Sequence, residues 1–154
     1  MVMVLLFILI GVAVPRFDDV VPELRVRKAA DQVYAGLRLA RNDAATYGLR
    51  TRFAVHQQNR TYRITVEKRP LKDADKFETI DSSWDVTELP EGVGVPTMEG
   101  FATDDASGEA YLEFRNDGTL ESDATIVLEN DAGDKRTLKV AAVTGQATFE
   151  ERPP

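Results

Sequence analysis

The chain has 154 residues, 43% hydrophobic and 29% charged, with a formal net charge of −7 and no cysteine. That length holds one domain with its own core, and the composition excludes wholesale disorder. The missing cysteine excludes disulfide scaffolds, thiolate metal sites and cysteine nucleophiles without fixing the compartment, and the acidic balance disfavours generic binding to nucleic acid or anionic lipid, which draws on clustered Lys and Arg.

Residues Met1 to Val14 are apolar apart from Gly11, stop at Pro15, and have no charge before them. Such a run can be a signal-peptide core, a membrane helix, or a buried helix or strand. As a helix it reaches about 21 Å, against roughly 30 Å of bilayer hydrocarbon, so it is too short to span alone. Its Leu, Ile, Val and Phe each favour the membrane by roughly 0.3 to 0.6 kcal/mol, so it is also too apolar to leave in water. Signal-peptidase cleavage fits poorly: no Lys or Arg precedes the run, and Val12-Ala13-Val14 runs straight into Pro15. The run is therefore read as part of a membrane helix, with burial as the first element of a soluble domain as the bland alternative.

Pro15 and Pro22 bracket Arg16 to Val21, where a straight helix is poorly tolerated, so a bend or break is expected there. This divides the chain into 1–22 and a head over 23–154. From Glu23 the apolar residues Val26, Ala30, Val33, Leu37, Ala40, Ala44 and Tyr47 recur by four and three, which predicts an amphipathic helix over 23–47 with Gly48 as its C-cap. Arg27, Asp31, Arg38 and Arg41 fall off that stripe.

Beyond Gly48 the period becomes two. Thr51 to His56 and Thr61 to Glu67 read as a hairpin across Gln57-Gln58-Asn59-Arg60. Residues 68–76 read as a charged loop, followed by short strands near Phe77 to Ile80 and Trp84 to Leu89. Pro90 to Pro96 is rich in Gly and Pro, and Thr103 to Gly108 is small and acidic, so a long exposed excursion is expected here. Late strands follow at about Ala110 to Phe114, Ala124 to Glu129 and Arg136 to Val143, with Gln146 to Phe149 closing and turns at Asn116-Asp117-Gly118 and Asp131 to Asp134. The fold class is α+β: an N-terminal helix packed on a C-terminal antiparallel sheet or sandwich.

With this order in hand, the chain resembles the type IV pilin-like proteins, and among them the H-type minor pseudopilins of type II secretion and the FimT-like pilins. The resemblance rests on Ile10-Gly11-Val12-Ala13-Val14-Pro15-Arg16-Phe17, on Ala29-Ala30 through Leu37-Arg38-Leu39-Ala40-Arg41-Asn42-Asp43-Ala44, and on Phe114-Arg115-Asn116-Asp117-Gly118 and Val143-Thr144-Gly145-Gln146. It covers nearly the whole chain. The family's leader, processing Gly and early Glu have no counterpart here; aligned on Val14-Pro15, Met1 falls about seven residues inside the family's mature chain, which makes up the ~20 residues that a bilayer needs.

The resemblance implies a structural subunit of the inner membrane, with its head in the periplasm, placed near the tip of a short pseudopilus that exports folded proteins. Its implied partners are other pseudopilins or pilin-like subunits, the inner-membrane secretion machinery and, where the full N-terminus exists, a prepilin peptidase. Val4, Leu5, Leu6, Phe7, Ile8, Leu9, Ile10, Val12 and Val14 would be both anchor and assembly surface. The stripe Val26, Ala30, Val33, Leu37, Ala40 and Ala44 would pack the head. No cofactor is implied.

Other functions are weighed on their residues. His56, the single His, would need Ser82, Ser83, Ser107 or Ser122 for a catalytic triad, none in nucleophile-elbow spacing, and reads as an exposed strand end. Asp104-Asp105 with Glu109, and the turn Asp131 to Asp134, lack spaced Ca²⁺-loop ligands and read as solvated turns. Gly92 and Gly94 lack the Gly-Lys of a phosphate loop, and Trp84 reads as core or sheet anchor. DNA-capturing FimT-like pilins resemble one another in a basic C-terminal segment. Gly145 to Arg152 here carries two acids and one Arg, so no nucleic-acid partner is expected, and Arg25, Arg27, Lys28, Arg38 and Arg41 read as a solvated or juxtamembrane helix face. A free-standing extracytoplasmic β domain with a cleaved start is the third reading.

Overall fold

A computed structural model describes residues 20–79 and 86–150. The expectations for Val4 to Val14 and for Ser82, Ser83 and Trp84 lie outside the described residues.

One helix, α1 (Val20–Tyr47), leads into ten strands: β1 (Thr51–His56), β2 (Thr61–Val66), β3 (Glu78–Thr79), β4 (Thr87–Glu88), β5 (Val93–Glu99), β6 (Ala102–Asp104), β7 (Glu109–Phe114), β8 (Ala124–Asn130), β9 (Lys135–Val140) and β10 (Ala147–Phe149). The described helix begins at Val20, three residues before the expected Glu23. Pro22 therefore lies within the described helix, while most of the bend expected over Arg16 to Val21 falls outside the described residues. At the other end the Gly48 N–H donates to the Ala44 carbonyl at 2.9 Å and closes the helix.

The strands form two antiparallel sheets. The first has the order β3-β2-β1-β7-β6, with β4 also paired to β2; the second has the order β10-β9-β8-β5. Val26, Ala30, Val33, Leu37, Ala40 and Ala44 are buried in one core with Phe53, Ile64, Leu112 and Phe114 of the first sheet and Ile126, Leu128, Leu138 and Val140 of the second. The helix is thus a shared spine for both sheets, in the α+β arrangement. Gly36 permits a close approach to the first sheet: a Cβ there would stand 2.9 Å from Phe53 Cε2 and 3.1 Å from Tyr62 Cε2. Those two rings pack at 5.3 Å between centroids, and the Tyr62 hydroxyl donates to the Gln32 carbonyl at 3.4 Å. Tyr47 departs from the stripe with 70% exposure, at the last position of the helix.

The expected excursion over 90–108 is largely structured. β5 pairs with β8, and Val93 and Val95 are buried, with a register shift between Gly94 and Thr97. An edge strand tolerates Pro96, which has no N–H to give the ladder, and a bulge absorbs the irregularity. The Gln57 side-chain amide donates to the Val95 carbonyl at 2.9 Å, tying this edge to the β1–β2 turn. β6 pairs with β7 through Ala102↔Tyr111 and Asp104↔Glu109. β9 stops at Val140 rather than Val143, where residues 141–145 turn back toward the helix.

Candidate functional site

Alternation along the first sheet sends Phe53, Ile64, Leu112 and Phe114 inward and leaves Arg52, Arg63, Glu109, Tyr111 and Glu113 on the outer face. Arg52 lies opposite Glu113 in the β1–β7 register, and its Nε donates to Glu113 Oε2 at 2.7 Å. Its guanidinium is stacked between two rings, 3.6 Å from the Phe77 centroid and 4.3 Å from that of Tyr111. Arg63 donates to Glu109 at 2.6 Å. Arg52, Arg63, Phe77, Glu109 and Tyr111 line a concave region of about 540 Å³ together with Asp75, Lys76, Glu78 and Asp104.

Arg50 is the hub of an adjoining ion-pair network. It donates to Glu67 at 2.7 and 2.8 Å, to Asp75 at 2.6 Å and to Glu113 at 3.0 Å. Glu67 is only 2% exposed. The Arg50 hydrogen bond holds its carboxyl below the usual carboxylate range, against burial, which pushes the other way; the Asp75 N–H adds to the lowering. The same bonds, led by Glu67, raise Arg50. Sequence reading missed this hub, because Glu67 was assigned only to a strand end and Asp75 to a loop whose return path no local pattern announces.

A second junction joins the two late glycine motifs. The Arg41 Nε donates to the Thr144 carbonyl at 2.7 Å. A Cβ on Gly118 would meet Ala45 Cβ and Arg41 Cγ at 3.3 Å, and one on Gly145 would meet the Gly118 carbonyl oxygen at 1.9 Å.

Several of the described residues weighed for chemistry make structural hydrogen bonds. His56 Nδ1 accepts the Asn59 N–H at 3.3 Å across the β1–β2 turn, and His56 is half-buried rather than exposed. Asp104 accepts the Ala106 N–H at 3.0 Å and the Ser107 hydroxyl at 2.9 Å, and these bonds lower its pKa. In the 131–134 turn the organiser is the buried Asn130, whose Oδ1 accepts the N–H groups of Ala132 at 3.0 Å and Asp134 at 2.8 Å. Among the described residues no group of three or more His, Asp or Glu is placed to hold a metal ion. Of the helix cations, Arg41 is committed to Thr144, while Arg25, Arg27, Lys28 and Arg38 are exposed. Glu150, in the tail, pairs with Lys139 at 2.6 Å. No described helix is long and apolar enough to cross a membrane.

The arrangement is a pilin-like head: a helical spine, two antiparallel sheets and ionic surfaces with no assembled catalytic constellation among the described residues. Residues 29–145 match the family model for the type II transport protein GspH, and the chain belongs to that family. In structure it is similar to the minor pseudopilin EpsH from the type 2 secretion system of Vibrio cholerae, with TM-score 0.62 and 14% identity over 82% of this chain and 96% of that one. It is also similar to the type IV minor pilin FimU of Pseudomonas aeruginosa, with TM-score 0.56 and 14% identity over 89% of this chain and 93% of that one. No curated protein matches the sequence significantly. Membership of the GspH family makes this a minor-pseudopilin-type protein of type II transport, from a class of structural subunits.

Proposed function

We propose that the protein is a structural subunit near the tip of the type II secretion pseudopilus, assembling with other pseudopilins for the export of folded proteins. The observation that carries this reading is the GspH-family match across the spine and both sheets, on a chain whose spine is preceded by an apolar run. In this account Val4 to Val14 anchor the chain in the inner membrane and pack with neighbouring helices, while the head stands in the periplasm. Prepilin peptidase is a partner wherever the encoded chain carries a leader. The head supplies shape and charge rather than chemistry.

A FimU-type minor pilin is the second reading, favoured by the comparable fold similarity to that protein. Deleting the gene separates the two. Loss of protein export with surface piliation intact supports the pseudopilin; loss of piliation with export intact supports the pilin.

A further inference from the structure

The residues of α1 that fall off the buried stripe make, with Tyr34, a stripe of their own. Arg27, Asp31, Tyr34, Arg38 and Arg41 follow one another by four, three, four and three, so they share one flank of the helix over about 21 Å. Arg27, Asp31 and Arg38 are exposed, and neither Arg27 nor Arg38 has an ion pair among the described residues. In a chain of net charge −7, a row of arginines without neutralising partners is a local departure that composition does not explain.

The second sheet completes the surface. Its edge strand β10 lays Phe149 against Tyr34, stacked at 5.3 Å between centroids, and Phe149 is still 42% exposed. Beside the two rings, Ala30 and Phe149 line a recess of about 320 Å³ together with Arg27, Asp31 and Arg136. Arg136 reaches Glu23 only at 3.7 Å, and the acid of the tail, Glu150, is taken by Lys139 at 2.6 Å, so the row keeps a positive balance. Further along, Arg41 holds the Thr144 carbonyl at 2.7 Å, and the turn fixed in this way carries Val143 at 84% exposure. Aromatic rings set among arginines are the composition of an interface anchor.

We propose that this flank docks a different pilin-like subunit, one that presents Asp or Glu side chains to Arg27, Arg38 and Arg136 and an apolar side chain to the recess beside Phe149. Charge complementarity selects that occupant: a second copy of this chain is no match for its own arginine row, whereas an acidic face is. A protein surface can set its carboxylates opposite the arginines and a base opposite Asp31; a nucleic-acid backbone, charged at every step, would meet Asp31 and Glu23 as repulsion. An anionic membrane lying across the anchor end would meet only the first turns of a strip that runs about 21 Å along the helix. The inference deepens the filament reading, on which it rests, by naming the head surface and the chemistry of the neighbour it takes.

The photo-cross-linking amino acid p-benzoylphenylalanine, placed at Asp31 so that every arginine of the strip is kept, tests the contact in full-length protein expressed where the secretion system is active. The expected result is an adduct with a different pilin-like subunit, joined within a peptide that carries two or more Asp or Glu, and at least fivefold more abundant than with the same amino acid at the exposed Ser107. Arg27→Glu with Arg38→Glu should cut that yield at least fivefold. Arg27→Lys with Arg38→Lys, which keeps the charge and so guards against a mere failure to fold, should retain most of it. A yield equal to the Ser107 control or indifferent to charge reversal overturns the proposal. So does an adduct with a second copy or with phospholipid in place of the other subunit, or binding to duplex DNA that the reversal abolishes. Cross-linking through Val12→Cys runs in parallel: if it succeeds while the Asp31 probe fails, only this surface is wrong, and if both fail the filament reading falls as well.

Discussion

Gly145 packs against Gly118 so closely that a Cβ on the former would stand 1.9 Å from the carbonyl oxygen of the latter. Both have positive φ, 62° and 80°, and the Gly145 N–H donates to the Ala141 carbonyl at 2.7 Å. The turn after β7 and the turn after β9 are thereby locked together over the last third of α1, where Arg41 reaches Thr144. Gly145→Ala should cost roughly 3 kcal/mol, since it adds a backbone clash to a left-handed conformation. Arg41→Ala removes one hydrogen bond and should cost about 1 kcal/mol. Urea denaturation measures both, and equal effects would break the account of this junction.

Leu37 tests the spine. It is 1% exposed amid both sheets, so Leu37→Ala should destabilise the head by about 2–5 kcal/mol through lost burial and the cavity left behind. Leu37→Asp buries an unpaired carboxylate and should prevent folding. Thermal unfolding followed by circular dichroism reads both; a Leu37→Asp head with unchanged stability would contradict the packing described.

The Arg50 hub predicts a specific acid response. Glu67 has its carboxyl lowered in the folded state, mainly by Arg50, from an ordinary value of 4.5. A lowered folded value means that the stabilisation is fully present above about pH 4.5 and is lost as pH falls from there through the folded value. Glu67→Gln should be less stable than the parent at pH 7, and the gap should narrow below pH 4.5. A gap that stays constant from pH 7 to pH 3 would show that Glu67 acts through shape rather than charge.

The β1–β2 hairpin was legible because Phe53 and Val55 alternate with polar neighbours against Tyr62, Ile64 and Val66 across a short polar turn. The helical stripe was legible for the same reason, its four-and-three spacing putting Val26 through Ala44 on one face. β5 was not, because Gly94 and Pro96 carry the local signature of a turn and only pairing with β8 overrides it. Tyr47 keeps the helical phase at the last position of α1, so periodicity alone could not mark it as exposed. Nothing local joins Arg50 to Asp75; that relation exists only once the chain has folded.

The charge layout sets an expectation for nucleic acid. Arg41 is engaged with Thr144, and Glu150 pairs with Lys139 where a basic tail would be needed. Duplex DNA should therefore show no binding at physiological salt in a gel-shift assay. Micromolar, salt-sensitive binding would favour a DNA-capturing pilin.

The central claim is that the apolar start assembles with other pilin-like helices, and single-cysteine cross-linking at Val12 addresses it most directly. Full-length protein carrying Val12→Cys, expressed where the secretion system is active, is oxidised in intact membranes and probed for adducts. The account predicts disulfide adducts with pseudopilins bearing a cysteine at the equivalent depth, and their absence when the cysteine is placed at the exposed Ser107 of the head. Adducts missing at Val12 while the system exports normally would contradict the pseudopilin reading.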